Sequence, residues 1–307
     1  MDRLTVLYRR NNLAALAFLA PNLAGFLVFT SLPVLAAFGL SFFRWDLFSA
    51  PEFVGLANYF DLLGWHAEEG RTASNDPEFW QYLGNTLFLM LVIPLNMAGS
   101  MFLAIVLNQK LRCRVFFRTI FFLPTVCAGV GIMLLWKWIY DPDFGLLNNF
   151  LSLFGVEGLL WLQSYYWAKP ALMIMTLWAG IGGTNMILYL AGLQTISPEL
   201  FEAAEIDGAG AWSKFIHITY PMLMPTSFFI FITSMIAGFQ GGFEMAYVMT
   251  QGGPAGSTTT VSYYIYDHAF RFFNMGYAAA IAVVLFVFVL LVTLVNWKYG
   301  GRKVQYV

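Results

Sequence analysis

The sequence predicts an all-α, polytopic membrane protein with six transmembrane helices. Three observations carry that reading. The chain is 59% hydrophobic and only 11% charged, where soluble domains carry roughly a quarter charged residues. The charges are clustered: no Asp, Glu, Lys or Arg occurs in 11–43, 79–109, 119–136, 170–198, 215–243 or 272–297. Each gap is close to or beyond the ~20 residues that carry a helix across a bilayer. The apolar runs are also continuous rather than alternating at every second residue, which excludes a β-barrel. In hydrocarbon, helices then remain as the structure that satisfies its own backbone groups.

The elements follow in order. Span one is expected at 13–41, kinked near Pro21 and Pro33. An outer segment, 44–82, is rich in Asp, Glu, Trp and Tyr. Span two at 85–107 returns through the basic turn NQKLRCR to span three at 115–137. The stretch 138–167 holds a candidate short helix, LLNNFLSLF. Span four is expected at 169–193, span five at 222–248 and span six at 275–297, with a Gly/Pro-rich outer turn, TQGGPAGSTTT, before the last. No internal repeat divides the chain, so 1–307 reads as one transmembrane domain. The apolar stretch of span one is too long for a signal peptide's core and reads as a retained span.

Orientation follows from Lys and Arg. With the N-terminus inside, the inner segments hold 11 of the 16 basic residues, including Arg3, Arg9, Arg10, Lys110, Arg112, Arg114 and Arg118. That bias places both termini in the cytoplasm. Cys113 and Cys127 lack metal-ligand spacing and read as unpaired thiols. The three histidines are far apart and HExxH is absent. No metal site is expected.

The inner loop 195–221, between spans four and five, carries more punctuation than a connector needs. Ser197-Pro198 is a helix start, with Ser as cap and Pro at the first position, where its missing N–H costs nothing. Ala203 and Ala204 allow close approach of another surface. Asp207-Gly208 ends the helix, with Gly208 suited to a left-handed conformation. Helix resumes from Ala211 to Thr219, and Pro221 ends or kinks it. The alternatives are an interfacial hairpin or a knob offered to a soluble partner.

Glu202-Ala203-Ala204, three residues, Gly208, nine residues, Ile218 and then Tyr220-Pro221 resembles the EAA loop of membrane subunits of binding-protein-dependent ABC importers, with Tyr220 where Leu is usual. FVGLANYFDLL at 53–63, DPEFWQYLGNT at 76–86 and TQGGPAGSTTTVSYYIYDHAF at 250–270 are similar to outer segments of the carbohydrate branch of those permeases, interrupted by an insertion at 64–75. The resemblance implies the type I ABC importer permease fold and a bacterial or archaeal cytoplasmic (inner) membrane. It implies four kinds of partner: a second permease, two copies of a cytoplasmic ATPase, an extracytoplasmic solute-binding protein and a sugar or sugar-like polyol. Glu202, Ala203, Ala204, Asp207, Gly208, Ile218 and Pro221 become the expected ATPase-coupling positions. No Gly-Lys pair occurs, so the chain has no P-loop. It is not expected to be catalytic itself or to bind a cofactor, and ATP and Mg belong to the ATPase. Lipid is an expected partner and nucleic acid is not.

For the solute path, Thr233, Ala237, Gln240, Glu244 and Tyr247 are spaced for one face of span five. Gln240 and Glu244 are costly in lipid and should face the bundle or a cavity. Ser234, Phe239, Thr184, Asn185 and Trp178 join them as candidate contacts, while Asn85 and Asn96 read as structural. Gly238, Gly241 and Gly242 permit close approach or local unwinding. Two rival readings are a permease of the same class for a non-sugar solute, which the outer motifs oppose, and an ion-coupled secondary transporter, which would want a mid-span Asp. A membrane enzyme would need a catalytic constellation, and no loop holds one.

Overall fold

The structure, a computed structural model, describes residues 15, 17–68, 71–109, 111–127 and 129–300. The expected start of span one, the basic residues Arg3, Arg9, Arg10 and Lys110, and the final tail residues lie outside the described residues. Among the described residues, four helices are long and apolar enough to cross a membrane: Ala17–Leu40, Pro77–Asn108, Ala168–Gln194 and Met275–Lys298. Six spans result when each of two bent helix pairs, Arg114–Val126 with Gly129–Ile139 and Ala211–Met222 with Met224–Gln240, counts as one.

The spans differ in detail from the sequence expectation. Span two starts at Pro77 rather than 85, because Asp76-Pro77 is a helix start that the charge gap alone does not show. Span three is described as two helices, Arg114–Val126 and Gly129–Ile139. Span four is two helices, Ala168–Ile181 and Thr184–Gln194, meeting at Gly182-Gly183. Span five does not run as one helix over 222–248: it bends by 61° before Met224 and stops at Gln240. By internal contacts the chain divides into two compact units, Met1–Asp76 with Ile265–Val284 and Pro77–Tyr264 with Leu285–Val307.

In the first unit, the helix Ala17–Leu40 buries none of its window, as suits a surface turned to lipid or to another chain. Ser41 closes it, donating from Oγ to Phe38 O at 2.6 Å. Phe43–Arg44 then pairs antiparallel with Glu52–Phe53. Asn58, on the helix Ala57–Leu63, is buried and donates to Ser41 O at 2.9 Å and Phe43 O at 3.0 Å. One amide thus satisfies two carbonyls at the end of the span. Residues 64–75, unassigned from sequence, form a hairpin in which Trp65–Glu68 pairs with Arg71–Ser74. Asn75 ties it down by donating to Phe60 O at 2.9 Å. At the start of the last helix, a Cβ on Gly276 would lie 1.8 Å from Phe43 O, so only glycine permits that approach. Tyr277 OH donates to Asp76 Oδ2 at 2.5 Å beside it.

In the second unit, one core gathers Ala104, Leu107, Met186, Tyr189, Leu190, Leu193, Leu223 and Ile230, from spans two, four and five. Polar groups stitch spans two and four together. Ser100 Oγ donates to Ile181 O at 2.8 Å, and Asn96 fills the space a Cβ on Gly180 would need. Small residues and satisfied hydroxyls are the usual means of helix association where the hydrophobic effect offers no drive. A second core is aromatic. The rings of Trp178, Trp136, Tyr140, Trp161 and Trp167 follow one another with centroids 5.2–5.6 Å apart. Tyr140 OH donates to Ala171 O at 2.7 Å. The short helix Leu146–Ser152 is held by Asn148, whose Oδ1 accepts from Trp161 Nε1 at 2.8 Å.

Candidate functional site

The loop 195–221 folds as two short helices, Pro198–Ile206 and Ala211–Lys214, the latter continuing as a π turn over Phe215–Thr219. Ser197 caps the first, its Oγ accepting from Glu199 N at 3.3 Å. The stop is a double hydrogen bond: Gly208 N donates to Glu205 O at 3.0 Å and Ala209 N to Ala204 O at 2.8 Å. Gly208 has φ +76°. This pattern satisfies the last carbonyls of a helix and needs a left-handed residue at its end. Lys214 then reaches back to Glu205 at 2.7 Å and joins the two helices. That hydrogen bond and charge hold the Glu205 carboxyl below its ordinary value.

Glu202, Ala203, Asp207 and Gly208 are exposed, Ala204 half-buried. Two apolar side chains stand out beside them, Ile206 at 87% and Trp212 at 72% exposure. Ile218 differs: it is half-buried and packs with Phe201 and Met222 against the core of spans two, four and five. It anchors the loop to the spans. Pro221 lies in the helical turn Tyr220–Met222, next to the bend at the fully buried Leu223. Sequence reasoning missed the Glu205–Lys214 link and the projection of Ile206. Opposite charges flanking a Gly stop were the available signal.

The second feature is a cavity of about 480 Å³ lined by spans two to five. Met90, Met133, Met173 and Met245 supply much of its apolar wall, with Asn96, Thr176 and Ser234 among its polar groups. Ala237, Gly238, Gly241 and Gly242 line it from span five. Gly241-Gly242 is where the helix stops. Gly242 has φ +89°, and a Cβ there would lie 2.9 Å from the Thr260 methyl. A new helix starts at Phe243.

The structure corrects two expectations here. Thr233, Ala237 and Gln240 share a helix with one another but not with Glu244 and Tyr247, because the glycine pair resets the helix phase. All five are nevertheless exposed. Phe239 cannot offer a ring to solute: it is 1% exposed and packs on Met90, Ile93 and Phe288. Of the remaining candidates, Ser234 lines the cavity, while Thr184 is exposed and Asn185 half-buried outside its wall. Trp178 is 49% exposed at the end of the aromatic row.

The turn before the last span is ordered and buried. Ser257, Thr258, Thr259 and Thr260 are buried. Asn85 donates to Gly256 O at 2.8 Å and Thr259 O at 2.9 Å, and Val261 N donates to Thr86 Oγ1 at 3.1 Å. Span two therefore holds this turn by side chain to backbone bonds. Among the described residues no cluster of His, Cys, Asp or Glu could hold a metal ion.

A family model described as "Binding-protein-dependent transport system inner membrane component" matches residues 23–298. The lactose transport system permease protein LacF of Rhizobium radiobacter is 38% identical, over 93% of this chain and 93% of its own length. The probable ABC transporter permease protein YesP of Bacillus subtilis is 35% identical, over 97% and 94%. Among solved structures, a bacterial ABC transporter involved in the import of the acidic polysaccharide alginate has a chain of the same fold, with TM-score 0.82 and 26% identity over 99% of this chain and all of that one. The likeness runs along nearly the whole length of these permeases, and the chain belongs to the binding-protein-dependent transport system inner membrane components, the non-catalytic permease subunits of ABC transporters.

Proposed function

We propose that this permease imports a sugar or sugar-like polyol, driven by ATP hydrolysis on a separate subunit. The observation that carries the reading is the exposed, Gly-stopped helix Pro198–Ile206 with Glu202, Ala203, Asp207 and Ile206 on its open surface. A helix with a charged and apolar exposed face, whose Phe201 packs with Ile218 against the core of the spans, can transmit the movement of a partner to the bundle. Two copies of a cytoplasmic ATPase and a second, different permease complete the proposed complex. An extracytoplasmic binding protein delivers the solute, in keeping with the family description. ATP and Mg act on the ATPase. Both termini lie in the cytoplasm.

The carbohydrate substrate is supported by relatives named for lactose and alginate transport. In the proposed path, solute passes the broken end of span five, where Gln240, Glu244 and Tyr247 offer amide, carboxylate and ring to hydroxyl-rich ligands. Closure of the ATPase pair would move the spans between outward and inward access. The test is reconstitution with the partner ATPase, permease and binding protein in liposomes. ATP-dependent uptake of the binding protein's sugar is the expected result. Uptake driven by an ion gradient without the ATPase would overturn the reading.

A further inference from the structure

A groove of about 400 Å³ lies on the second unit between spans three and four, away from the cavity described above. Its walls are Arg118, Thr119 and Phe122 on one helix and Met186, Ile187, Leu190, Ala191 and Gln194 on the other. The polar and apolar residues separate along both helices in the same direction. Arg118 lies one turn from Phe122. Gln194 lies one turn from Leu190 and two from Ile187. At 1.5 Å per residue the polar end and the far apolar wall are about 6–10 Å apart. That is an amphipathic groove whose polar end, Arg118 and Gln194, lies close in sequence to Arg114 and to the loop 195–221.

Arg118 is short of partners. Of its five guanidinium donors, Nη2 makes one long bond to Leu107 O at 3.4 Å, and the buried Nε has no partner among the described residues. Arg112 and Arg114 are its chain neighbours. A half-buried guanidinium with spare donors suits an anionic oxygen group. The apolar wall formed by Phe122, Ile187 and Leu190 suits a hydrocarbon tail.

We propose that this groove binds an anionic phospholipid of the cytoplasmic leaflet, its phosphate on Arg118 and Gln194 and an acyl chain along Phe122, Ile187 and Leu190. The leaflet assignment rests on the orientation proposed above. Anionic headgroups concentrate on that side, and basic groups at the ends of spans reach toward them. A bound lipid would brace span three against span four, beside the loop that moves with the ATPase.

The assembled transporter, extracted from membranes containing phosphatidylcholine and phosphatidylglycerol, can be tested by native mass spectrometry for retained lipid. Wild type should keep phosphatidylglycerol in preference to phosphatidylcholine. Arg118→Gln should lower that retention by about tenfold, the scale of a lost charge-assisted hydrogen bond, and Arg118→Lys should restore part of it. Gln194→Glu, at an exposed helix end, should lower it too and carries the test if Arg118→Gln does not assemble. Equal phosphatidylglycerol retention by wild type and these variants would overturn the proposal, as would equal retention of phosphatidylcholine. ATP-driven uptake by the same wild-type preparation is scored separately. Its failure would count against the permease reading, whereas the lipid counts decide the groove.

Discussion

Gly208 sits at φ +76° with nothing within 4 Å of where a Cβ would stand. Any penalty for replacing it is therefore conformational rather than steric. A β-branched residue in that region costs about 1–2 kcal/mol or more, whereas Asn tolerates it. Gly208→Asn should keep ATPase co-purification and uptake near wild type, and Gly208→Val should weaken both. Equal behaviour of the two would show that the left-handed stop does not matter. The Glu205–Lys214 link gives a pH prediction. Because the folded pKa of Glu205 lies below its ordinary value of 4.5, the link contributes above that value and is lost as pH falls through the folded pKa. Hydrogen-exchange protection over 198–214 should differ between wild type and Lys214→Gln by a constant amount from about pH 6 to 8. The difference should vanish under more acidic conditions. The cap and stop at Ser197 and Gly208 were legible in the sequence because their residue types have few other uses. The Glu205–Lys214 pair was not, because it depends on how the second helix folds back.

At the scale of elements, span two shows what charge gaps miss. Its helix starts at Pro77, eight residues before the expected start at 85. The added turns place Asn85 and Thr86 where they hold the buried turn at 256–261. Asn85→Ala would leave two carbonyls of a buried turn without that donor, at about 1–3 kcal/mol each. The variant should show a lower thermal midpoint and faster proteolysis within 250–260, while the coupling loop keeps its ATPase. Unchanged cleavage of that turn would contradict the clamp. Asn85 was legible as structural from its type within a span, but its partners lie some 170 residues away and follow no local spacing rule. Span five teaches the complementary lesson. The three glycines pointed to unwinding, yet the spacing of Gln240, Glu244 and Tyr247 still read as one face, because periodicity presumes an unbroken helix.

For the whole molecule, the question is how a chain exposes Gln240, Glu244 and Tyr247 in a membrane. Polar groups of this kind do not face lipid without cost. The proposed second permease would cover this face and close a shared path. The all-α class and the family were readable from charge gaps and the EAA spacing. The cavity was not, because its wall is built of methionine, alanine and glycine, residues that read from sequence as packing. Ala237 offers a direct test, since it is exposed yet lines the cavity. A larger side chain there can project into open space while the helix backbone stays in place. Ala237→Trp should abolish solute uptake in liposomes while ATPase assembly and basal ATP hydrolysis persist. That split separates a blocked path from a broken coupling loop, because Gly208→Val acts on the other half of the machine. If Ala237→Trp transports like wild type, solute does not pass the broken end of span five.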